Sequence, residues 1–165
     1  MDKYKTQKEE TLRLLSVLEN ATQMSLDLFF MRVEKSKKPE SRYSIKERVR
    51  PRDAYYILKE ENAWWKNDTQ SKNYYFAWYR GQELDIAFVD DLQDIERFKS
   101  EGHLALIKTS THKYQALFKL SQKVSEEKLL EIQRVLREKY GGDIGAVSPW
   151  QMKRLTGFLN TKYAL

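Results

Sequence analysis

Apolar residues recur at helical spacing from the start of the chain. Leu12, Leu15 and Leu18, with Leu14 and Val17 widening the face, predict a helix over residues 5–22. The period then drops to two. Over residues 25–33, Leu26, Leu28 and Phe30 alternate with Asp27, Phe29 and Met31, which predicts a strand. A basic, Pro- and Ser-containing stretch follows, expected as a loop or irregular strand. Pro51 suits the first turn of a helix reaching about residue 65, with Tyr55 and Leu58 inward and Tyr56 a further inward candidate. The aromatic run YYFAWY at 74–79 and the apolar run DIAFVD at 85–90 predict strands, the first ended by Arg80-Gly81. A helix is expected over 92–100, capped by Gly102. Strands are expected at 104–109 and 114–120 around a turn at 110–113. Ser125 then caps a helix with a Leu129, Ile132, Leu136 stripe, flanked by Leu130 and Val135 and stopped by Gly141-Gly142. A short helical piece at 148–155 leads into a polar, irregular tail.

Hairpins at 74–90 and 104–120 would make the sheet mostly antiparallel, so the expected class is α+β rather than doubly wound. At 165 residues the chain is long enough for one domain with a real core and short for two. Residues 1–165 are therefore read as a single domain.

Composition removes several chemistries. There is no cysteine, which excludes disulfides, thiolate catalysis and cysteine-bound zinc or iron–sulfur centres. His103 and His112 are the only histidines, too few for a histidine metal site. No apolar run has the length of a membrane span and the N-terminus lacks a secretory apolar region. The expected location is cytoplasmic, with no membrane partner. The net charge of +6 is concentrated: residues 34–52 hold eight basic residues against three glutamates. That stretch is either a solvated basic loop or a phosphate-contacting surface.

Asp90 and Asp91 close the strand AFVDD. Adjacent strand residues point to opposite faces, so both can serve one site only where the chain turns. Two carboxylates at one place repel and call for a cation such as Mg²⁺ or Mn²⁺. The competing reading makes Asp91 the N-cap of the next helix and Asp90 a solvated acid. Asp143 follows Gly141-Gly142 and is either a third acid or another cap.

A bound triphosphate would need cationic or amide donors beside the metal. KTSTHKYQ offers Lys108, Ser110, His112, Lys113 and Gln115, and KRLTGFLNTK offers Lys153, Arg154, Asn160 and Lys162. Arg154 is the best clamp by geometry, because its planar fork matches phosphate oxygens. Trp64, Trp65 and the 74–79 aromatics are either core or base-stacking groups.

Three segments in order carry a family resemblance. AFVDDL resembles the acidic first motif of RepB-type plasmid primases, a branch of the archaeo-eukaryotic primase superfamily. KTSTHKYQALFKL resembles the second motif. YGGDIGAVSPWQMKRLTGFLNTK resembles the third, with its Gly-Gly-Asp and Arg-Leu-(Pro)-Gly-Phe-x-Asn-x-Lys signature. The resemblance covers roughly residues 50–165 and is most specific in the order and spacing of the motifs. Thr156 departs from it, standing where proline is usual, and His112 stands where glycine or asparagine is usual.

The resemblance implies an archaeo-eukaryotic primase-like core with an RRM-like, mostly antiparallel sheet flanked by helices. It implies that Asp90, Asp91 and Asp143 hold two divalent metals, Mg²⁺ or Mn²⁺, for phosphoryl transfer. Ser110, Lys113 and Gln115 would contact the incoming nucleotide. Gln115 falls where many relatives carry a histidine in the second motif, and His112 either stands in for that histidine or has no role in the site. Arg154, Asn160 and Lys162 would bind triphosphate or hold the site together. The implied activity is template-dependent primer synthesis on single-stranded DNA from nucleoside triphosphates, in replication of a plasmid or other mobile element. The implied partner is a replicative helicase or a helical domain, fused or separate, so the chain is either a minimal catalytic domain or part of a longer protein.

Three rival readings stand beside this one. A non-catalytic module could bind single-stranded nucleic acid through the basic stretch and aromatics. A metal-dependent nuclease would use similar carboxylates. A relaxase normally needs a His-hydrophobic-His pair, and His103 and His112 form none.

Overall fold

The computed structural model describes residues 1–32, 42–143 and 148–158. Helix α1 (Lys5–Ala21) leads into strands β1 (Leu26–Arg32) and β2 (Arg42–Val49), then helices α2 (Pro51–Glu60) and α3 (Ala63–Gln70). Strands β3 (Lys72–Trp78) and β4 (Leu84–Val89), helix α4 (Ile95–Glu101), strands β5 (Ala105–Ser110) and β6 (Lys113–Val124), helix α5 (Glu126–Tyr140) and strand β7 (Lys153–Arg154) follow. Every strand pairing described is antiparallel. From β4 onward the element order is β-α-β-β-α-β, as in ferredoxin-like and RRM-like halves, although the last strand, β7, joins the β3 edge of the other sheet. The α+β expectation, antiparallel strands flanked by helices, holds.

The strands form two sheets, β2-β1-β3-β7 and β4-β6-β5. The 104–120 hairpin exists as β5 and β6. The 74–90 hairpin does not: β3 and β4 follow each other in sequence but belong to different sheets. A bulge-forming irregularity near Leu84 begins β4, and Asp85 there is held by Thr22 and Lys119 rather than by β3. Local alternation defines strands well, but it says nothing of which sheet a strand joins.

Core packing explains the sheet patterns. On β6, Gln115 and Leu117 face one side while Ala116 and Phe118 face the other, and all four are buried. The second sheet is therefore covered on both faces. One cover is made by α4 and α5, whose Phe98 and Tyr140 rings lie 5.1 and 5.3 Å from Phe118. The other is continuous with the core built from α1 Leu15 and Leu18, β1 Leu26 and Leu28, and β3 Tyr74, Phe76 and Trp78. Thr11 and Trp64 tie α1 to α3 through an indole hydrogen bond of 3.3 Å.

Several local expectations change. The helix begun by Pro51 breaks at Asn62, whose left-handed φ of 54° lets a second helix start at a new angle and bury Ala63 and Trp64. Tyr56 points outward, 64% exposed, because Ala54 and Leu58 hold the inner face of α2. Val135 is likewise exposed on α5. The helix expected from residue 92 starts at Ile95, with the Asp94 side chain accepting from Arg97 N at 3.1 Å. No helix forms among the described residues of 148–155. Instead Lys153 and Arg154 pair with Phe76 and Tyr75 on the free edge of β3, where tertiary hydrogen bonding outweighs a weak local helical pattern.

The basic stretch divides. Residues 33–41 lie outside the described residues. Arg42, Lys46 and Arg48 are exposed on β2, an edge strand with register shifts, in keeping with the irregular-strand expectation. Arg50 turns inward: it donates to the carbonyls of Thr22 (3.1 Å) and Gln23 and to Glu19 (3.1 Å), capping the end of α1. It is a structural cation, not a phosphate contact.

Candidate active site

Asp90 is the first residue beyond β4 and is half-buried. Asp91 adopts φ 49°, the left-handed turn needed to bring two adjacent acids to one locus. Its N–H donates to Asp90 Oδ1 at 2.9 Å. Because Asp94 caps α4, the capping role considered for Asp91 is not the one it has.

Asp143 arrives from the far end of α5. Its N–H donates to the Asp90 carbonyl at 2.9 Å. Gly142 makes that approach possible: a Cβ there would lie 2.6 Å from Val89 Cγ1 and 3.0 Å from the Asp90 carbonyl. Gln93 N and Asp94 N donate to the carbonyls of Gly141 and Tyr140 at 3.1 and 2.8 Å, so the loop after β4 is fastened to the end of α5. Helix-capping by Asp143 falls on residues 144–147, outside the described residues.

Burial first, then the charges of Asp91 and Asp143, push the Asp90 carboxyl above its ordinary range, while hydrogen bonds from Gln115 and Asp91 N pull it down. Such a cluster holds its charge at a cost that a hard divalent cation would relieve, and its donors are all oxygen, as Mg²⁺ and Mn²⁺ prefer. Among the described residues, no three acidic or histidine side chains are gathered into a ready metal cage. A cation there would complete its shell with water or substrate oxygen.

Gln115 connects the acids to the cationic side. It is buried in β6, its amide donates to Asp90, and its Oε1 accepts from Arg154 N at 3.0 Å. Arg154 in turn donates from Nη2 to Tyr75 Oη at 3.1 Å, with its guanidinium 5.1 Å from the Tyr75 ring centroid. One chain of hydrogen bonds thus runs through all three sequence motifs. We expect Gln115→Leu to keep the fold but lower activity about 10–100-fold, the usual effect of losing a group that orients a functional side chain. Steady-state rates beside a thermal melt check this; a rate equal to native would show that the tie has no functional weight.

Ser110 and Arg154 line a cavity of about 670 Å³ between α1, β5 and the segment after β7, with Leu14, Val17 and Lys108. Its size suits a nucleotide-sized ligand. His112 and Lys113 lie at the exposed hairpin tip, His112 with φ 62°. No hydrogen bond joins their side chains to the acids among the described residues. Asn160 and Lys162 lie outside the described residues. Thr156 replaces a turn proline with a useful donor: its hydroxyl bonds the Glu10 carbonyl at 2.9 Å, and its own carbonyl accepts from Thr11 at 2.6 Å.

Two residues of this region escaped the sequence reading. Tyr75 was visible only as one aromatic in a strand, yet it carries the Arg154 side chain. Lys153 was grouped with the phosphate donors but is fully buried.

Residues 63–165 match the family model of the RepB DNA-primase N-terminal domain. No curated protein matches the chain. Among solved structures, the catalytic domain of primase RepB′ in complex with initiator DNA is similar at 22% identity and TM-score 0.69, covering 93% of this chain and 80% of that one. The structure of primase RepB′ is similar at the same identity and score, and there the chain covers 52% of the neighbour. The AEP domain of the cyanophage S-2L primase-polymerase aligns over 89% of this chain and 80% of its own, at 14% identity and TM-score 0.60. These identities speak for the fold, while the family model spans most of the chain, including the acids, the Gln115 strand and the Arg154 segment. The chain belongs to the RepB DNA-primase N-terminal domain family.

Proposed function

We propose that the chain is the catalytic core of a template-dependent primase that joins nucleotides on single-stranded DNA, in replication of a plasmid or other mobile element. Its family makes it a primase, a nucleotidyltransferase of DNA replication. The observation that supports the finer reading is the line Asp90–Gln115–Arg154, which links the acidic cluster through the Gln115 amide to the backbone of Arg154, a residue that lines a nucleotide-sized cavity.

In this reading Asp90, Asp91 and Asp143 hold Mg²⁺ or Mn²⁺, which when bound supplies charge neutralisation at the reacting oxygens. Arg154, kept in place by Tyr75, grips the triphosphate through its planar fork. Ser110 contacts the nucleotide from β5, and Gln115 orients the Asp90 carboxylate through its hydrogen bond. His112 and Lys113 approach from the open hairpin tip, and Asn160 and Lys162 belong to the triphosphate side. Holding two nucleotides in register on a template converts a bimolecular step into a near-unimolecular one, which accounts for much of the rate. A replicative helicase or a helical domain supplies template recognition.

A neighbour solved with initiator DNA supports a DNA partner here. Incubating the chain with single-stranded template, Mn²⁺ or Mg²⁺ and labelled nucleoside triphosphates tests the reading. Oligonucleotide product is the expected result. Shortened template would make the protein a nuclease, and salt-sensitive binding without product would make it a binding module.

The exposed cations of β2 are assigned to the template backbone. Replacing Arg42, Lys46 and Arg48 together with alanine should weaken single-stranded DNA binding and reduce the magnitude of its log–log salt slope by about 2, at roughly 0.7 per phosphate contact. Fluorescence anisotropy over a salt series measures it. An unchanged slope would move the template path elsewhere.

A further inference from the structure

Lys153 is fully buried, yet the described residues place no carboxylate within hydrogen-bonding distance of its ammonium. Nζ donates to the carbonyls of Gln151 (2.8 Å) and Pro149 (3.3 Å). Around it stand the rings of Phe88, Phe76 and Trp78, with centroids 4.8, 6.0 and 6.0 Å away. A cation in such a place is costly, and its own carbonyl contacts could be made by a neutral amide. Burial pushes the amine down to about 7, and the only charge that pulls it back up is Asp90.

Its position explains that coupling. Phe88 and Asp90 lie two residues apart at the end of β4, so they share a direction, and Lys153 sits on the Phe88 ring. The next residue, Arg154, is bonded through its N–H to the Gln115 that donates to Asp90. The ammonium is therefore enclosed between the aromatic rings of β3 and β4, on strands of the two sheets and near the strand end that carries Asp90, where water does not screen it. The opposite face of β7 carries Arg154, so one two-residue strand offers a buried and a partly open cation to the two sides of one site.

We propose that Lys153 is a positioning residue of the acidic site, a buried counter-charge that weakens its hold on divalent cations. The inference rests on the reading of Asp90, Asp91 and Asp143 as metal carboxylates. A positive charge beside the cluster offsets part of the repulsion among the acids when no metal is bound. It also opposes an arriving dication, so that metal is held loosely enough to leave with product.

Coulomb's law sets the sign of the test. Removing the ammonium should tighten binding of Mn²⁺, by about tenfold for charges within the same low-dielectric pocket. A lysine that only braced the fold would leave Mn²⁺ binding unchanged or weaken it. Lys153→Gln keeps donors for the two carbonyls without the charge, and Lys153→Met removes both. Free and bound Mn²⁺ would be followed by electron paramagnetic resonance at pH 6.5, alongside thermal melts and primer synthesis over a Mn²⁺ series. The expected result is tighter Mn²⁺ binding in the glutamine variant, and in the methionine variant where it folds, with synthesis saturating at lower Mn²⁺. Unchanged or weaker binding in a folded glutamine variant overturns the role of Lys153 while leaving the acidic site in place. If the native chain binds no Mn²⁺, the metal reading itself falls, and this inference with it. Should the glutamine variant fail to fold, Lys153 is a structural residue and the proposal is wrong.

Discussion

Asp90→Ala should abolish nucleotide addition, a loss of roughly a thousandfold or more, while the circular dichroism spectrum stays native. Asp90 is the acid on which the others converge: Asp91 N bonds its carboxylate, Asp143 N bonds its carbonyl, and Gln115 ties it to Arg154. Several kcal/mol of transition-state charge stabilisation would be lost with it, and each ~1.4 kcal/mol is tenfold in rate. Asp91→Ala and Asp143→Ala should be similarly inactive. A triple alanine variant that still extends primers would sink the carboxylate mechanism.

The same acid should show a trade of stability for function. Its carboxyl is pushed up in the folded chain, chiefly by burial and then by Asp91 and Asp143. A raised acid binds protons more readily folded than unfolded. Its charge therefore costs stability in full above the folded pKa, and the cost disappears as pH falls below the unfolded value near 3.8. Asp90→Asn removes that charge with little change of shape. It should melt no lower than the native chain at pH 7 without metal, and higher if the strain is real, while making no primers. A clear drop in melting temperature would mean that Asp90 is structural.

Gly157→Ala is the second large effect, and it acts on the fold. Gly157 has φ +83°, and a Cβ there would lie 2.1 Å from the Gln7 carbonyl and 2.5 Å from Thr11 Oγ1. The chain crosses α1 almost in contact with its backbone. Alanine would incur the left-handed cost of about 1–2 kcal/mol and an overpacking cost of about 1–3 kcal/mol. Together these should remove about 2–5 kcal/mol of stability, measurable by denaturant titration. They should also disturb the Thr11–Thr156 and Thr156–Glu10 hydrogen bonds and, through Leu155, the seat of Arg154. Native stability in this variant would show that the turn can move away from α1 at little cost.

The way the chain reads in sequence follows from what local physics can see. Helix α5 is legible because Ser125, Gly141 and the Leu129 stripe each act within one or two turns. The β5–β6 hairpin is legible because its strands alternate and its turn is short. The 74–90 hairpin misled for the same reason: β3 and β4 alternate correctly, but sheet membership depends on partners far away in sequence. Strand β7 was invisible, since two residues have no period and their pairing edge is supplied by β3.

The acids divide along the same line. From sequence, Asp90 and Asp91 stand out by position, at a strand end before a helix, and family resemblance alone lifts Asp143 above the other aspartates. That resemblance also identified the Gln115 and Arg154 segments. By itself, then, the sequence determined most of the element types, the absence of cysteine chemistry, the family and the residues to suspect. The tertiary structure decided how those residues meet. It turned Asp91 into a left-handed residue, brought Asp143 to Asp90 through Gly142, and joined Gln115 to Arg154. It also showed that Arg50 and Lys153, indistinguishable from surface cations in the sequence, face inward. Burial and hydrogen-bond partners of a side chain are set by segments tens of residues away, and no local pattern encodes which charge will end beside which.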